Sequence, residues 1–530
     1  MRKIPDHVRA LVQRLYHEHC KSESIIEIQK AGDWRTVPDL LRFVFSEHSV
    51  AAMAAVEALM AKVPPSQFPL LEDLIRQIDY FYRGDPWFSH KPEIVKEISA
   101  LPGNTTVFLG LATFNTSGYV RQAAIEQLAS CRTGEELPFL ILRTNDWVEQ
   151  VRALAYALVE KRLTPSYAGH FARNLALIER LTICSRANHS GLVARVKNLL
   201  QRPECAEQLF SGTESADLAN RRVCFRWALE QGSNASLSMI KRAMCDKDVV
   251  VSMAAARAIR LLPDSAERQE LLQGLRWHSL HAVRREYLYA LATTRTPDAL
   301  VELKQFLLDD SRSLREAARF YLAWQAPLDF NVFYKQALAQ AGEFPPPAAL
   351  LGIGETGAKQ DAALLLPYLE KHSVAIVKSA LRALNKLDGE RYVSTFLEYL
   401  THPQPGLTKE VADALLDKAA LIPSETLWKI VSLDNPPHAR LNALKLIYAK
   451  DQWENLPYLI HACSLPDEQV SNKAQDYLSQ WLRRYKYTFV PTNANQIKRV
   501  KDALLLNKNV LPQATVECLN WIMKDFEKGK

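Results

Sequence analysis

The side chains able to hold a metal or act on a substrate are few in this sequence, and their spacing argues against both uses. His17, Glu18, His19 and Cys20 are the first group. On a helix His17 and His19 point about 200° apart, so only His17 and Cys20 share a face, and two ligands are too few for a zinc site. Trp277, His278, Ser279, Leu280 and His281 form a second group, with histidines at i and i+3 beside an indole. That arrangement suits base stacking or pH sensing, but no carboxylate or cysteine follows to complete a metal site or triad. The expectation is therefore no catalytic residue, no metal and no cofactor.

What remains chemically active is mostly cationic or aromatic. Arg221, Arg222, Arg226, Lys241, Arg242, Arg257, Arg260, Arg284, Arg285, Arg312, Arg315 and Arg319 recur in successive segments. If the helices bearing them stack in parallel, part of the set makes a basic ribbon suited to a phosphate backbone or an acidic peptide. A separate cluster crowds Tyr80, Phe81, Tyr82, Trp87 and Phe88 with Arg83 around a turn. Exposed, it would anchor a partner, since aromatics and arginine dominate interface energetics; folded back, it would fill a long inter-repeat loop.

The elements that must position these residues are read from 350–387. Ala362, Leu365, Leu366 and Leu369 fall at helical spacing, Lys371, His372 and Ser373 interrupt, and Ile376, Ala380, Ala383, Leu384 and Leu387 give a second stripe. Two short helices cannot enclose a core alone, so they must stack on copies of themselves. The second stripe recurs as Ala51/Ala55/Leu59, Val120/Ala124/Leu128, Val151/Ala155/Val159, Val251/Ala255/Ile259, Val283/Tyr287/Leu291, Leu314/Ala318/Leu322, Val411/Leu415/Ala419, Ala439/Ala443/Ile447 and Val470/Ala474/Leu478. Neighbouring anchors lie about 31 residues apart, a period of helical-hairpin arrays. Five positions before the anchor stand Ser46, Asn115, Asp146, Asp246, Asp309 and Asp434, each able to cap the following helix. Directly after it come Arg121, Arg152, Arg284, Arg315 and Arg440.

This turn-Asp, apolar-Arg, x-x-Ala arrangement resembles HEAT repeats over roughly residues 35–487, and LGIGETG at 351–357 is similar to the short HEAT-like repeat of phycobilisome lyases. The resemblance implies an all-α fold, a right-handed α-α superhelix (HEAT-like solenoid) of stacked antiparallel helix pairs. It also implies a structural role for Arg121, Arg152, Arg284, Arg315 and Arg440, each meeting a turn carboxylate. That leaves the off-register Arg222, Arg226, Lys241, Arg242 and Arg285, with Tyr82, Trp87 and Phe88, as candidate partner contacts.

Composition agrees. Only 18 of the 530 residues are glycine, and prolines such as Pro38, Pro138, Pro297 and Pro457 sit where helices should start. The expected division is an N-terminal helical cap (1–36), a first repeat arc (37–326, irregular at 64–103), a second arc (327–487, with Pro345, Pro346 and Pro347 near its start) and a C-terminal helical cap (488–530). Eight scattered cysteines without a C-x-x-C pair suit free thiols in a reducing compartment, and charge interrupts the N-terminus before any apolar run, so a cytoplasmic protein without a membrane span is expected. The net charge of +7 is modest over so large a surface and permits an acidic partner without requiring one.

Three functions are compatible with this. The first is a non-catalytic scaffold or adaptor that binds a protein or peptide on the concave face made by the second helices. The second is nucleic-acid binding on a basic concave face: Asp146 with Trp147, and 224–229, distantly resemble the alkylpurine DNA glycosylases, in which Trp and Asp hold a damaged base. The third, a lyase-like protein-modifying factor, follows from the repeat resemblance alone. The sequence leaves the partner's identity and the oligomeric state open.

Overall fold

The computed structural model describes residues 4–17, 21–79, 81–82, 84–230, 237–294, 296–342, 344–370, 373–485 and 492–527. Among them every regular element is an α- or 3₁₀-helix. They divide into two compact units, Met1–Tyr287 and Leu288–Lys530.

In the first unit, Thr105–Ala112 packs on Gly118–Leu128, Leu137–Arg143 on Glu149–Glu160, and Leu237–Met244 on Val249–Leu261. The second unit repeats the scheme with Ser424–Ser432 on Pro437–Tyr448 and Gln452–Ala462 on Glu468–Tyr485. Second helices of successive pairs also lie against one another: Gly118–Leu128 touches Glu149–Glu160, while Val374–Asp388, Pro405–Leu415, Pro437–Tyr448 and Glu468–Tyr485 form a run. The periodic stripe explains this. Its anchor and the residues four and eight later are buried in every copy except at Ala51 and Leu291, which are half-buried. Each helix thus buries one stripe against its own partner and the next pair, which no single pair could do.

Prolines start helices Val37–Leu40, Leu137–Arg143, Pro297–Gln305 and Pro347–Thr356, where the missing N–H costs nothing. Pro457 departs from that expectation, lying inside Gln452–Ala462. The stretch 350–387 departs from it too. Its first stripe forms a 3₁₀-helix, Lys359–Leu369, which contains Pro367, a residue with no N–H for an α-helical bond. Leu366 is partly exposed there, while Ala362, Leu365 and Leu369 are buried. LGIGETG lies mostly inside the helix Pro347–Thr356. A Cβ on Gly354 would stand 2.6 Å from Ala383 Cα, so this glycine sets the close approach to Val374–Asp388.

The aromatic loop folds inward. Trp87 and Phe88 are buried, and the Trp87 ring lies 6.2 Å from both Phe45 and Phe108. Neither is open to a partner, which corrects the anchor reading for both: large rings gain more in the core than in water. Tyr82 is half-buried, stacked on Tyr16 and covered by the Arg42 guanidinium at 3.7 Å. Tyr80, Arg83, His19 and Cys20 lie outside the described residues, as does the His17 side chain.

Candidate partner-binding site

The anchor arginines come first, because they determine which cations remain for a ligand. Arg121, Arg152, Arg284 and Arg315 each donate through Nη1 to the carbonyl six residues earlier, of Asn115, Asp146, His278 and Asp309, at 2.7–3.0 Å. Each also reaches the next carbonyl in its own turn. The turn residue itself accepts the N–H two positions on: Asn115 from Ser117, Asp146 from Val148, Asp246 from Asp248 and Asp309 from Ser311. These side chains therefore close the turn rather than cap the helix's first free N–H groups, because they stand too far ahead of it. His278 takes the same place, with Nδ1 accepting from Leu280 N–H and Nε2 donating to Met244 O.

Some guanidinium nitrogens also reach forward. Arg121 meets Asp146 at 2.7 and 2.9 Å, Arg221 meets Asp246, and Arg440 meets Asp467. Each ties one helix pair to the turn of the next. Arg315 departs from the rule: it and Arg319 share Glu355, which lies beyond the next turn. Burial alone would raise the Asp146 carboxyl, but the Arg121 hydrogen bonds, the Arg143 charge and the Val148 N–H hold it below the usual carboxylate range.

The off-register cations are also paired. Arg222 makes two bonds to Asp248, at 2.7 and 2.9 Å; Arg226 meets Glu179, Lys241 meets Glu270 at 3.6 Å, and Arg242 meets Glu214 and covers the Phe210 ring. Arg285 is half-buried on helix His281–Thr294. The expected basic ribbon is thus largely neutralised in place, and paired cations have few counterions to release on a phosphate backbone. Of the glycosylase-like residues, Trp147 is 69% exposed beneath the Arg186 guanidinium, whereas Asp146 and Trp227 are committed elsewhere. Asp146 is buried between Arg121 and Arg143, out of reach of a base, and Trp227 is buried with its indole N–H on Glu179. Among the described residues no three His, Cys, Asp or Glu side chains converge to hold a metal ion, and no helix is long and apolar enough to cross a membrane.

One of these cations borders a large cleft. Arg222 lines a cavity of about 860 Å³ in the first unit together with Trp34, Arg35, Leu70, Asp217 and Leu218. Ser66 joins two of its walls, donating its N–H and its hydroxyl to Asp217 at 2.8 and 2.9 Å. Asp217 also caps helix Leu218–Leu229 through the Ala219 and Asn220 N–H groups, which fixes Leu218 and Arg222 on the rim. Arg35 is clasped by Asp33, whose carboxyl falls below its ordinary range: burial opposes the fall, and the Arg35 hydrogen bonds overcome it. With both guanidiniums matched by carboxylates, apolar surface stays open beside the polar His7 and Gln67: Trp34 is half-buried, Leu70 43% exposed and Leu218 39% exposed.

Sequence reasoning missed the Ser66–Asp217 bridge, which spans 151 residues and leaves no periodic trace. It also missed the buried pair Arg162–Glu136. A signal existed there, a carboxylate 26 residues before an arginine at a helix end, close to the 25 that separate Arg121 from Asp146.

No protein-family model matches the sequence. No curated protein matches it. Among solved structures the chain is similar to importin beta (12% identity, 95% of this chain and 65% of that one, TM-score 0.33). It is also similar to Kap121p (12%, 98% and 55%, TM-score 0.25) and to a Tumor Overexpressed Gene (TOG) domain array (11%, 88% and 99%, TM-score 0.22). The chain spans less than two thirds of the length of the first two. At such scores the likeness adds no weight of its own, and the fold stands on the helix pairs and their arginine turns.

Proposed function

We propose that the chain is a non-catalytic scaffold that binds a protein or peptide partner, and that the cleft around Trp34, Leu70 and Leu218 is one place where it does so. The observation that carries this is the cleft's chemistry: about 860 Å³ with apolar side chains left open and rim charges already matched. An extended peptide offers such a site apolar side chains and backbone hydrogen bonds, and both rim arginines keep their partners. Cytoplasmic residence belongs to the same reading, and the described cysteines, all free thiols, are compatible with it. So does the division into an N-terminal cap, two arcs and a C-terminal cap.

The test is capture from native extract by the immobilised chain, followed by titration of the purified partner. A partner bound by the wild type and at least about tenfold more weakly by Leu218→Glu or Trp34→Ala supports the reading. Equal affinity for all three removes the cleft. The absence of any saturable partner removes the scaffold.

A further inference from the structure

Helix Arg312–Gln325, in the second unit, carries Arg312, Glu316, Phe320 and Trp324 at successive i+4 positions, one slanting row along its surface. The rings at its end are open to water, Phe320 by 59% and Trp324 by 80%. They lie together, 6.3 Å between centroids, and continue through Tyr321 to Tyr289. Trp147, Trp277 and Trp521 are also exposed, but Trp324 is joined to a second open ring, Phe320.

The charges beside the rings are unbalanced. Arg315 and Arg319 share the single carboxylate of Glu355, and Arg312 is matched by Glu316. Lys386, exposed on helix Val374–Asp388, has no carboxylate among the described residues within ion-pair distance. Partial burial, followed by the charges of Arg312 and Arg319 and opposed by those of Glu355 and Glu316, holds its amine below the usual lysine range. Arg315 and Arg319 are largely buried with Glu355, so the open charge here is Arg312 matched by Glu316, with Lys386 unmatched. Lys378 and Arg382, in the same row as Lys386, add two more cations over the single carboxylate of Glu410. An anion arriving here relieves repulsion as well as gaining attraction.

We infer that this face docks an acidic linear segment of a partner protein, with a bulky apolar side chain on Phe320 and Trp324 and carboxylates near Lys386 and Arg312. Glu316 in the middle of the row disfavours an evenly charged phosphate backbone and suits a peptide whose charges can be spaced around it. The inference rests on the scaffold reading and places a second docking face in the other unit.

The test is fluorescence anisotropy on the full-length chain. The probe is a fluorescein-labelled peptide of glutamates flanking a central Phe-Glu-Glu-Leu. Controls are the same peptide with alanine for Phe and Leu, a lysine-for-glutamate version, and labelled oligothymidylate. The acidic apolar peptide should bind best. Trp324→Ala and Phe320→Ala should each weaken it about tenfold, and Lys386→Glu should weaken it and flatten its salt dependence. Leu218→Glu should leave it unchanged. All four positions are at least partly exposed, and circular dichroism melts check that the variants fold. No binding, equal affinity for Trp324→Ala, or tighter binding of oligothymidylate would overturn the inference. Each result leaves the cleft's own titration untouched, so failure here is distinguishable from failure of the scaffold reading. Loss on Leu218→Glu alone would move the peptide to the cleft and likewise overturn this site.

Discussion

Arg121 and Asp146 are buried partners, so removing one strands the other's charge. Arg121→Ala should cost about 3–5 kcal/mol, read as a lowered denaturation midpoint. The pair also gives acid sensitivity a sign. Folding holds the Asp146 carboxyl below its ordinary value, so its stabilisation is complete above the unfolded carboxylate value near pH 4 and drains away as pH falls through the lower folded one. Asp146→Asn should be less stable at neutral pH and lose less on acidification, a difference that melting curves across pH 2–6, about the range of carboxylate titration, would show. His278 closes its turn as Asn115 and Asp146 close theirs, and also reaches Met244 O. His278→Ala should therefore cost about 1–3 kcal/mol for the groups left unpaired, and His278→Asp should recover the part due to Leu280 N–H. The turn residues and the following arginines were legible in sequence because they repeat. Which carboxylate each arginine takes was only half legible: Arg121 and Arg440 reach the next turn, whereas Arg315 reaches Glu355, whose position depends on an irregular intervening segment.

At the scale of elements, Gly354 lets helix Pro347–Thr356 lie against Val374–Asp388, with Ala383 directly opposite. Gly354→Ala should force the helices apart and cost about 1–3 kcal/mol, visible as a lower melting temperature. The same stretch shows where periodicity misleads. Ala362, Leu365 and Leu369 keep helical spacing and are buried, yet the backbone is 3₁₀, because Pro367 breaks the α-helical ladder while the apolar residues still find the core. Spacing reports which side chains go inside more faithfully than which helix carries them. The aromatic loop teaches the converse. Nothing in Trp87 and Phe88 as residues distinguishes an anchor from a filler, and only the rings opposite them, Phe45 and Phe108, decide it.

For the whole molecule, nearest-neighbour packing predicts local failure. Arg440→Ala should speed amide hydrogen exchange in helices across 405–485 while leaving 105–160 unchanged; uniform acceleration throughout the chain would show a single cooperative core instead. Neither docking face could be read from sequence. The cleft depends on Ser66 meeting Asp217, and the aromatic row is an accident of which i+4 positions stay uncovered. Arg121, Arg221 and Arg440 each borrow a counter-charge from further down the chain, at offsets of 25, 25 and 27 residues. Length in such a protein comes in quanta. Genetic gain or loss of a full period hands every guanidinium a new creditor, whereas half a period leaves a cation in oil, so viable relatives should differ in size by whole steps.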